Sequence, residues 1–221
     1  MLIYAAADLH GRSQRIRCIQ RNIDALRPDI LVLAGDITRR WQPDTMLDGL
    51  NRLNLPILLI RGNSDSRGLA RLLKPFDRLR SVHLSNEVFG GVPIVGVGGT
   101  LPLPFHSRLN LKETDVVGRV SGMLQPNSVL VVHPPPYGIR DRVLGKFHAG
   151  SRAVRRLVDR CSPALVICGH IHEQAGVETI GRTTVVNCAM GRSGAGALIR
   201  YDGRSAPCCR MLPPNNETPR V

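Results

Sequence analysis

Seven side chains of the kinds that bind divalent metals stand in five short blocks along the chain. They are Asp8, His10, Asp36, Asn63, His133, His170 and His172. Carboxylate, imidazole and amide groups that converge are ligands for borderline divalent cations. Two such cations about 3.5–4 Å apart, sharing one carboxylate, activate water and clamp the oxygens of a phosphoryl group. The residue types therefore indicate metal-assisted hydrolysis, provided that the fold brings them together.

Each block follows a run of apolar, β-prone residues, and these runs must position the seven side chains. The runs span residues 2–7, 30–34, 57–60, 129–132 and 165–168. Continuous apolar runs of this length are typical of strands buried on both faces. Polar groups just past the ends of such strands meet at one edge of a sheet, where α/β proteins build their sites. We therefore expect the seven side chains to converge at that edge.

Local spacing within the blocks supports convergence. Residues two apart on an extended backbone project the same way, so Asp8 pairs with His10 and His170 pairs with His172. Glycines adjoin the blocks at Gly35, Gly62 and Gly169. Their expected role is to let the backbone approach the metals or to adopt positive φ, and ordinary turn glycine is the alternative.

The remaining elements alternate between helix and strand at first and become strand-rich toward the end. Further strands are predicted at 82–84, 92–97, 177–180, 183–187, 197–201 and 209–212. Helices are predicted at 13–26, 44–53, 64–73, 113–124 and 151–160, with Ser13 and Ser64 as N-caps. Long loops are expected at 99–112 and 134–150, and Asp202-Gly203 predicts a type I′ hairpin turn. This α/β pattern fits two mixed β-sheets packed as a sandwich and flanked by helices.

Length and composition indicate one domain of ordinary size. The chain has 221 residues, of which 43% are hydrophobic. We expect residues 1–212 to form a single domain and the polar residues 213–221 to be a disordered tail. No apolar run approaches the roughly 18–20 residues of a membrane span, and the chain enters a strand at once, so we expect a cytoplasmic protein. The six cysteines show no CxxC pair, which indicates core residues rather than a zinc or redox site.

The formal net charge of +13 comes from 30 basic and 17 acidic residues and has two interpretations. It could attract phosphates or nucleic acid. It could also reflect arginine-rich helix faces that point into water. The charge is spread, and aromatic residues make up only 4% of the chain, so a stacking surface for single strands is not indicated. We favour the second interpretation and keep nucleic acid as an alternative partner.

The five blocks resemble those of a known family. D-x-H at 8–10, G-D at 35–36, G-N-x-D at 62–65, the lone His133 and G-H-x-H at 169–172 resemble the pattern of the calcineurin-like metallophosphoesterases. The resemblance spans about residues 1–200. Segments 98–104, 133–138, 148–151 and 169–173 are similar to the Icc-related predicted phosphoesterases of that superfamily. Each ligand alone has a plainer explanation as a cap, a turn or a loop histidine, but five blocks in the right order weigh against coincidence.

The resemblance implies a four-layer fold and a division of the ligands between two metals. One metal would be held by Asp8, His10, Asp36 and His172. The other would be held by Asp36, Asn63, His133 and His170, with Asp36 bridging. It further implies hydrolysis of a phosphate-ester substrate by a metal-bound hydroxide, with Asp36, Asn63 and His133 as catalytic residues. Such mixed ligands suit Mn²⁺, which we place first, or Zn²⁺, Fe or Co²⁺.

Ser64 departs from the family pattern, which has a histidine at the third position of the G-N-x-D block. The resemblance implies that this histidine stabilises the phosphate or protonates the leaving group, whereas a serine hydroxyl is a poor general acid. Relatives without it tend to favour diesters, so we expect a phosphodiesterase. Asp65, without its usual partner, is expected to act as a charge at a helix N-terminus.

Four residues are predicted to bind substrate: Arg12, Ser64, His106 and His148. Arg12 follows the first block and could bind phosphate through its planar fork. His106 and His148 come from the two long loops and could replace the missing proton donor. Asn187 stands where relatives often have an Asn-Pro-Gly turn, although cysteine and alanine follow it here.

Two other functions stay open from the sequence. One is a metal-bearing scaffold with little catalysis, which Ser64 allows although the complete ligand set speaks against it. The other is a nuclease, which the positive charge allows. The sequence names neither the physiological ester nor the oligomeric state.

Overall fold

The computed structural model describes residues 1–38, 43–99, 113–191 and 194–213. The strands are β1 (Leu2–Ala6), β2 (Ile30–Ala34), β3 (Ile57–Ile60), β4 (Leu79–Ser81), β5 (Asn86–Phe89), β6 (Val92–Val97), β7 (Val129–Val132), β8 (Arg142–Val143), β9 (Phe147–His148), β10 (Leu165–Cys168), β11 (Gly176–Ile180), β12 (Thr183–Asn187), β13 (Ala197–Arg200) and β14 (Cys208–Met211). The helices are α1 (Ser13–Leu26), α2 (Pro43–Asn51), α3 (Leu69–Leu72), α4 (Glu113–Ser121) and α5 (Arg152–Cys161), with a 3-10 helix at His172–Gln174.

Twelve of these strands form two mixed six-stranded sheets. The first sheet has the order β14-β13-β1-β2-β3-β4, and the second has the order β11-β12-β10-β7-β6-β5. The parallel strands β1–β4 are extended on one side by the antiparallel β13 and β14. In the second sheet β6, β7, β10 and β12 are parallel, and the antiparallel β5 and β11 form its edges. The remaining strands, β8 and β9, form a separate hairpin.

The two sheets pack face to face, with helices on their outer faces. Ile3 and Val32 of the first sheet belong to the same buried cluster as Val131 and Ile167 of the second. Helices α1, α2 and α3 cover the outer face of the first sheet, and α4 and α5 cover that of the second. The central strands are thus apolar on both faces, which is why their sequences read as continuous rather than alternating runs. The predicted sandwich of two mixed sheets flanked by helices is confirmed.

The carboxyl ends of the parallel strands lie at one common edge of the sandwich. Ala34 is in register with Ile60 in the first sheet, and Val97 is in register with Val132 in the second. A bridge between residues 7 and 189, just after β1 and β12, joins the two sheets at this edge. The segments that leave β1, β2, β3, β7 and β10 therefore all start from the same place.

The strand predicted at 82–84 is instead the segment that crosses from one sheet to the other. Strand β4 ends at Ser81. The backbone N of Val82 then donates to Leu59 O at 3.0 Å, while its carbonyl accepts from Gly96 N at 3.1 Å. Leu84 has a φ of 53°, so the chain turns there. The edge strand β5 was missed because its residues are alternately exposed and half-buried and carry a weak apolar signal.

The predicted N-caps are also wrong. The helix expected over 64–73 is reduced to α3, whose N-cap is Gly68. Ser64 N and the Asp65 carboxylate instead bond to the segment that follows β2, which holds this stretch out of a helix. Ser13 is the first residue of α1, and Arg12 occupies the N-cap position without a side-chain cap.

Two connections differ from expectation. The predicted loop at 134–150 contains the β8–β9 hairpin. Strands β13 and β14 do form a hairpin, but residues 201–207 connect them in place of a two-residue turn. Asp202 Oδ1 accepts from the backbone N of Arg204 and Ser205 at 2.9 and 2.8 Å, so a side-chain cap shapes the wider turn. The predicted loop at 99–112 and tail at 213–221 lie almost wholly outside the described residues. Within the described ranges, no helix has the length and hydrophobicity needed to cross a membrane.

Candidate metal centre

The common strand edge brings all seven predicted ligands into one cluster. Asp8 and His10 follow β1, Asp36 follows β2, Asn63 follows β3, His133 follows β7, and His170 and His172 follow β10. Two overlapping sets, Asp8 with His10 and His172, and Asp8 with Asp36 and His133, have ligand atoms within 4.8 Å of one another. The strand ends therefore place oxygen and nitrogen donors close enough to share cations.

Four of the seven residues have a left-handed backbone. The φ angles of Asp8, His10, Asp36 and His170 are 61°, 48°, 52° and 71°. Non-glycine residues pay roughly 1–2 kcal/mol for this conformation, so the surroundings must impose it. Asp8 N donates to Gly35 O at 3.0 Å, and His10 N donates to Asp36 O at 2.8 Å. The expectation of an extended segment is therefore wrong, because tight turns rather than strand alternation aim the paired side chains.

The first donor set surrounds an oxygen of Asp8. His172 Nε2 lies 3.2 Å from Asp8 Oδ1, and His10 Nε2 lies 3.9 Å from it. Asp8 is fully buried, and its Oδ2 accepts from His170 N at 2.9 Å. Its Oδ1 has no partner with hydrogen-bond geometry among the described residues. A buried carboxylate oxygen left in this way is costly, and a cation between Asp8, His10 and His172 would satisfy it.

The second donor set converges on His133. Its Nδ1 lies 2.8 Å from Ala34 O, and because a carbonyl oxygen only accepts, Nδ1 must carry the proton. Its Nε2 then presents a lone pair toward Asn63 Oδ1 at 3.0 Å, His170 Nδ1 at 3.2 Å and Asp36 Oδ2 at 3.5 Å. Lone pairs that face one another at these distances need a shared proton or a cation. A backbone carbonyl that orients a histidine in this way is typical of metal sites.

In the metal-free cluster, protons take up part of this role. Burial lowers the pKa of His133, but the carboxylates of Asp36 and Asp8 outweigh it and raise that pKa to about 9. Burial and the charge of His133 lower the pKa of His170 to about 4. Burial favours the neutral acid of Asp36, yet His133 holds the pKa of that carboxyl below its usual range. The Asp8 carboxylate raises the pKa of His172. Cation binding must therefore displace protons, as it does at other metal sites.

Three glycines make the close approach of the blocks possible. Gly35 has a φ of 92°, and a Cβ there would lie 2.6 Å from His133 Nδ1 and 2.8 Å from Gly62 Cα. A Cβ on Gly62 would overlap the Asp36 carboxylate. A Cβ on Gly169 would lie 2.6 Å from an oxygen of the carboxylate that follows β1. Any side chain at these positions would push a donor group out of place.

Two buried side chains that the sequence analysis did not assign to the site hold its turns. Arg15 on α1 is 9% exposed, and its guanidinium donates to the carbonyls of Asp8 and Gly191. Its position on the apolar face of α1 was the available signal. Asn187, fully buried at the end of β12, donates from Nδ2 to Ile171 O at 2.9 Å. Both therefore fix the backbone that carries donor groups.

Asp65 connects two of the blocks. It is 6% exposed, and its carboxylate accepts from Ile37 N at 3.0 Å, from Thr38 N at 2.7 Å, from Thr38 Oγ1 at 2.9 Å and from Gly62 N at 2.8 Å. These bonds fasten the segment after β2 to the segment after β3. The expectation that Asp65 acts as a helix N-terminal charge is therefore wrong.

Arg61 is a cation at the same edge that was not predicted. It directly precedes the G-N-x-D block, and its side chain runs over Gly98 and Gly99. A Cβ on Gly99 would lie 2.8 Å from Arg61 Nη2, and Gly99 N donates to Arg61 O at 2.6 Å. Burial and the nearby Arg67 lower the pKa of Arg61, but an arginine remains a cation near neutral pH.

Of the predicted substrate-binding residues, Ser64 lies within the cluster. Its backbone N donates to Asp36 Oδ1 at 2.9 Å, and its hydroxyl lies 3.5 Å from His10 Nδ1. Arg12 is exposed at the start of α1, two positions after His10 in the chain. Ser64 thus lies next to two donor residues, and Arg12 is close to His10 along the chain.

Of the two histidines predicted from the long loops, the structure describes His148 but not His106. His148 lies in β9, where its Nδ1 is 2.6 Å from Asp141 Oδ1. The hairpin that carries it is tied to the 3-10 helix, since Leu144 N donates to Glu173 Oε1 at 3.2 Å. His106 lies outside the described residues.

Comparison with known proteins adds the family. Residues 1–174 match the model of the calcineurin-like phosphoesterases. The chain is 27% identical over 198 residues to protein MJ1162 of Methanocaldococcus jannaschii, covering 85% of this chain and 87% of that one. Among solved structures, TT1561 of Thermus thermophilus has a TM-score of 0.73 at 17% identity, covering 96% of this chain and 98% of its own. An archaeal phosphodiesterase has a TM-score of 0.57 at 13% identity, covering 96% and 100%. At these identities the two structures show a shared fold. Because the family match extends over most of the chain and includes the whole donor cluster, the chain belongs to the calcineurin-like phosphoesterase family.

Proposed function

We propose that this protein hydrolyses phosphodiesters at a centre of two divalent metals. The observation that carries the proposal is the position of Asp36 between the two donor sets. Its Oδ2 lies 3.9 Å from His10 Nε2 and 3.5 Å from His133 Nε2. One carboxylate that faces donors of both sets is the feature a two-metal centre requires.

The remaining donors divide between the two positions. Asp8, His10, Asp36 and His172 would hold one cation. Asp36, Asn63, His133 and His170 would hold the other. Bound cations would activate a water and polarise the phosphoryl oxygens. The mixture of oxygen and nitrogen donors favours Mn²⁺, with Zn²⁺, Fe and Co²⁺ as alternatives.

The protein's own groups have distinct roles in this proposal. Asp8 and Asp36 supply the negative charge that retains the cations, and their burial keeps that charge from being screened by water. The Ser64 hydroxyl could donate a hydrogen bond to a phosphoryl oxygen, because Ser64 is only half-buried and its hydroxyl lies near His10. Arg61 adds positive charge at the rim, where it would attract an anionic ester.

Ser64 is also the basis for proposing diesters over monoesters. A serine at this position removes an imidazole that could place positive charge beside the phosphoryl oxygens. A diester carries less negative charge than a monoester, so fewer cationic groups are needed to neutralise it. The cluster therefore suits a singly charged ester better than a doubly charged one.

The first test compares two chromogenic esters. Metal-free protein is loaded with Mn²⁺ and assayed with bis-p-nitrophenyl phosphate and p-nitrophenyl phosphate. We expect a clear preference for the diester, loss of activity and of metal in Asp36→Asn, and neither loss in Asp159→Asn, which changes an exposed aspartate on α5. Comparable or faster monoester turnover would overturn the diester assignment. Two bound metals with no turnover of either ester would point to a metal-bearing binding protein.

A second test replaces Ser64, the residue at which this chain differs from the family pattern. Ser64→His restores an imidazole at the position where the family pattern has a histidine. We expect the ratio of monoester to diester turnover to rise about tenfold or more, because a positively charged imidazole beside the phosphoryl oxygens offsets the additional negative charge of the monoester. An unchanged ratio, with metal content intact, would show that residue 64 does not set the preference.

A further inference from the structure

A buried aspartate orients an exposed histidine on the hairpin that packs against the 3-10 helix of His172. Asp141 is 1% exposed, and its Oδ2 accepts from Gly138 N at 2.9 Å and Gly150 N at 3.0 Å. Its Oδ1 lies 2.6 Å from His148 Nδ1. A Cβ on Gly150 would lie 2.7 Å from Asp141 Oδ2, so glycine is needed for this approach. Both oxygens of the Asp141 carboxylate are thus held by contacts, and one of the partners is the imidazole of His148, which can carry a proton.

The second ring nitrogen of His148, Nε2, takes no part in the contact with Asp141. Because a carboxylate oxygen only accepts hydrogen bonds, Nδ1 of His148 carries a hydrogen and donates the hydrogen bond to Asp141. The side chain of His148 is 31% exposed, and its Nε2 has no hydrogen-bond partner in the part of the chain that the structure describes. The Tyr137 ring lies 5.3 Å away, with Arg152 stacked 4.7 Å over it, and Arg142 pairs with His148 across the hairpin. The imidazole is therefore held in one orientation with Nε2 toward solvent.

The segment that carries this pair is fastened to the two stretches of chain that carry His133 and His172. It begins directly after His133. The Arg140 guanidinium donates to Gln174 O at 3.1 Å and to Ala175 O at 2.6 Å, which ties it to the 3-10 helix that His172 begins. Strand β8, the partner of β9, packs against the same 3-10 helix. His148 therefore stands on a hairpin that is braced against the element that carries His172.

We propose that His148, oriented by Asp141, protonates the leaving group of the ester, in place of the histidine that is absent at Ser64. This inference rests on the proposed phosphoesterase function. As the bond from phosphorus to the leaving oxygen breaks, its electron pair goes to that oxygen, which takes the proton from His148 Nε2. The oxygen of the attacking water forms the new bond to phosphorus and loses a proton to solvent. Neutral His148 then regains a proton from solvent, and Asp141 stays a carboxylate throughout.

The test separates proton donation from a structural role by changing the leaving group alone. Ethyl 4-nitrophenyl phosphate and ethyl phenyl phosphate share the rest of the molecule, but 4-nitrophenolate leaves readily without a proton and phenolate does not. His148→Asn keeps an N–H that can reach Asp141 and removes the transferable proton. We expect it to lower kcat/KM for the phenyl ester about 10²-fold more than for the nitrophenyl ester. Equal losses on both esters would overturn the proposal.

Asp141→Asn supplies a second readout. An amide that donates to Nδ1 would leave the ring in the wrong tautomer and without a counter-charge. We expect the same dependence on leaving group, with a larger loss for the phenyl ester than for the nitrophenyl ester. Lys146→Gln, at the exposed turn of the same hairpin, is the control and should leave the ratio of the two rates unchanged. Equal losses on both esters in Asp141→Asn would count against the orienting role.

A binding measurement keeps failure of the inference distinct from failure of the proposed function. Inorganic phosphate is added to protein loaded with diamagnetic Zn²⁺, and the Nε2 resonance of His148 is followed by ¹⁵N NMR. A shift that buffer alone does not produce would place His148 next to the phosphate. If the parent protein cleaved no ester, the proposed function would fall, and an unmoved resonance would remove His148 from the site independently.

Discussion

Asp65→Asn should destabilise the protein substantially although it removes no donor of the candidate metal centre. In the parent, one buried carboxylate accepts from Ile37 N, Thr38 N, Thr38 Oγ1 and Gly62 N at 2.7–3.0 Å. An asparagine of the same shape keeps one acceptor oxygen and gains an NH₂ group. The best orientation leaves the oxygen facing Thr38, so the NH₂ must face the N–H of Gly62.

The size of the expected loss in stability follows from these contacts. A hydrogen bond to a charged group contributes about 1.5–3 kcal/mol, and a buried donor without an acceptor costs about 1–3 kcal/mol. The exchange removes one such bond at Gly62, puts two donors in contact and weakens the bonds at Thr38 by removing the charge. We therefore expect a loss of about 2–4 kcal/mol in the free energy of unfolding. This is less than the total stability of an ordinary domain, so the variant should still fold.

Urea unfolding of the metal-free protein at neutral pH, followed by circular dichroism, measures this difference. Asp202→Asn is the matched control, because Asp202 also accepts bonds from two backbone N–H groups but is exposed, and its unfolding midpoint should not move measurably. In the same Asp65→Asn variant the affinity for Mn²⁺ should fall about 10–100-fold, since Asp65 fastens the segment that carries Asp36. A change under about 0.5 kcal/mol would refute the argument that the Asp65 bonds hold the two segments together.

Three further outcomes follow from the geometry. Gly62→Ala should lower Mn²⁺ affinity at least tenfold in calorimetric titration, because its methyl group displaces the central carboxylate, whereas Gly118→Ala, with open space around it, should not. Without metal, the free energy of unfolding should rise from pH about 4 to 6.5, because His170 binds its proton more weakly in the folded state than in the unfolded chain. It should fall from pH 6.5 to about 9, because His133 binds its proton more strongly in the folded state than in the unfolded chain. Denaturation in chelator at stepped pH checks both slopes, and a monotonic profile would contradict them. Arg61→Gln should raise KM for bis-p-nitrophenyl phosphate about tenfold with little change in kcat, and an unchanged KM in steady-state assays would remove Arg61 from substrate binding.

The central strands could be read from the sequence because their signal is local. The runs at 30–34, 57–60, 129–132 and 165–168 are bounded in the structure as predicted. A strand buried on both faces needs apolar residues at every position, and such a run is hard to confuse with a surface segment. The helix expected from Ser64 failed for the opposite reason. Its local cap signal was overridden by hydrogen bonds to the segment after β2: Ser64 N donates to the Asp36 carboxylate, and Thr38 N donates to the Asp65 carboxylate. No local pattern encodes such bonds.

The same division holds at the candidate metal centre. The seven donor residues and the order of their blocks were visible in the sequence, because metals require particular side-chain types and strand ends are easy to locate. The turns that orient these side chains were not visible in the sequence. The left-handed turns at Asp8, His10 and Asp36 depend on hydrogen bonds between neighbouring strand ends, and a sequence cannot show which backbone groups will meet.

Sequence by itself thus determined the sandwich, the edge where the site lies and the chemistry of its donors, since each is carried by residue type and periodicity along the chain. Only the tertiary structure decided that Arg15 and Asn187 donate hydrogen bonds to the backbone of the turns that carry the metal-binding side chains. It also decided that Asp141 orients His148. Those roles arise from contacts between segments far apart in the chain, whose energies depend on distance and burial. A polar residue in a sequence looks the same whether it will face water or a buried partner, and only packing distinguishes the two.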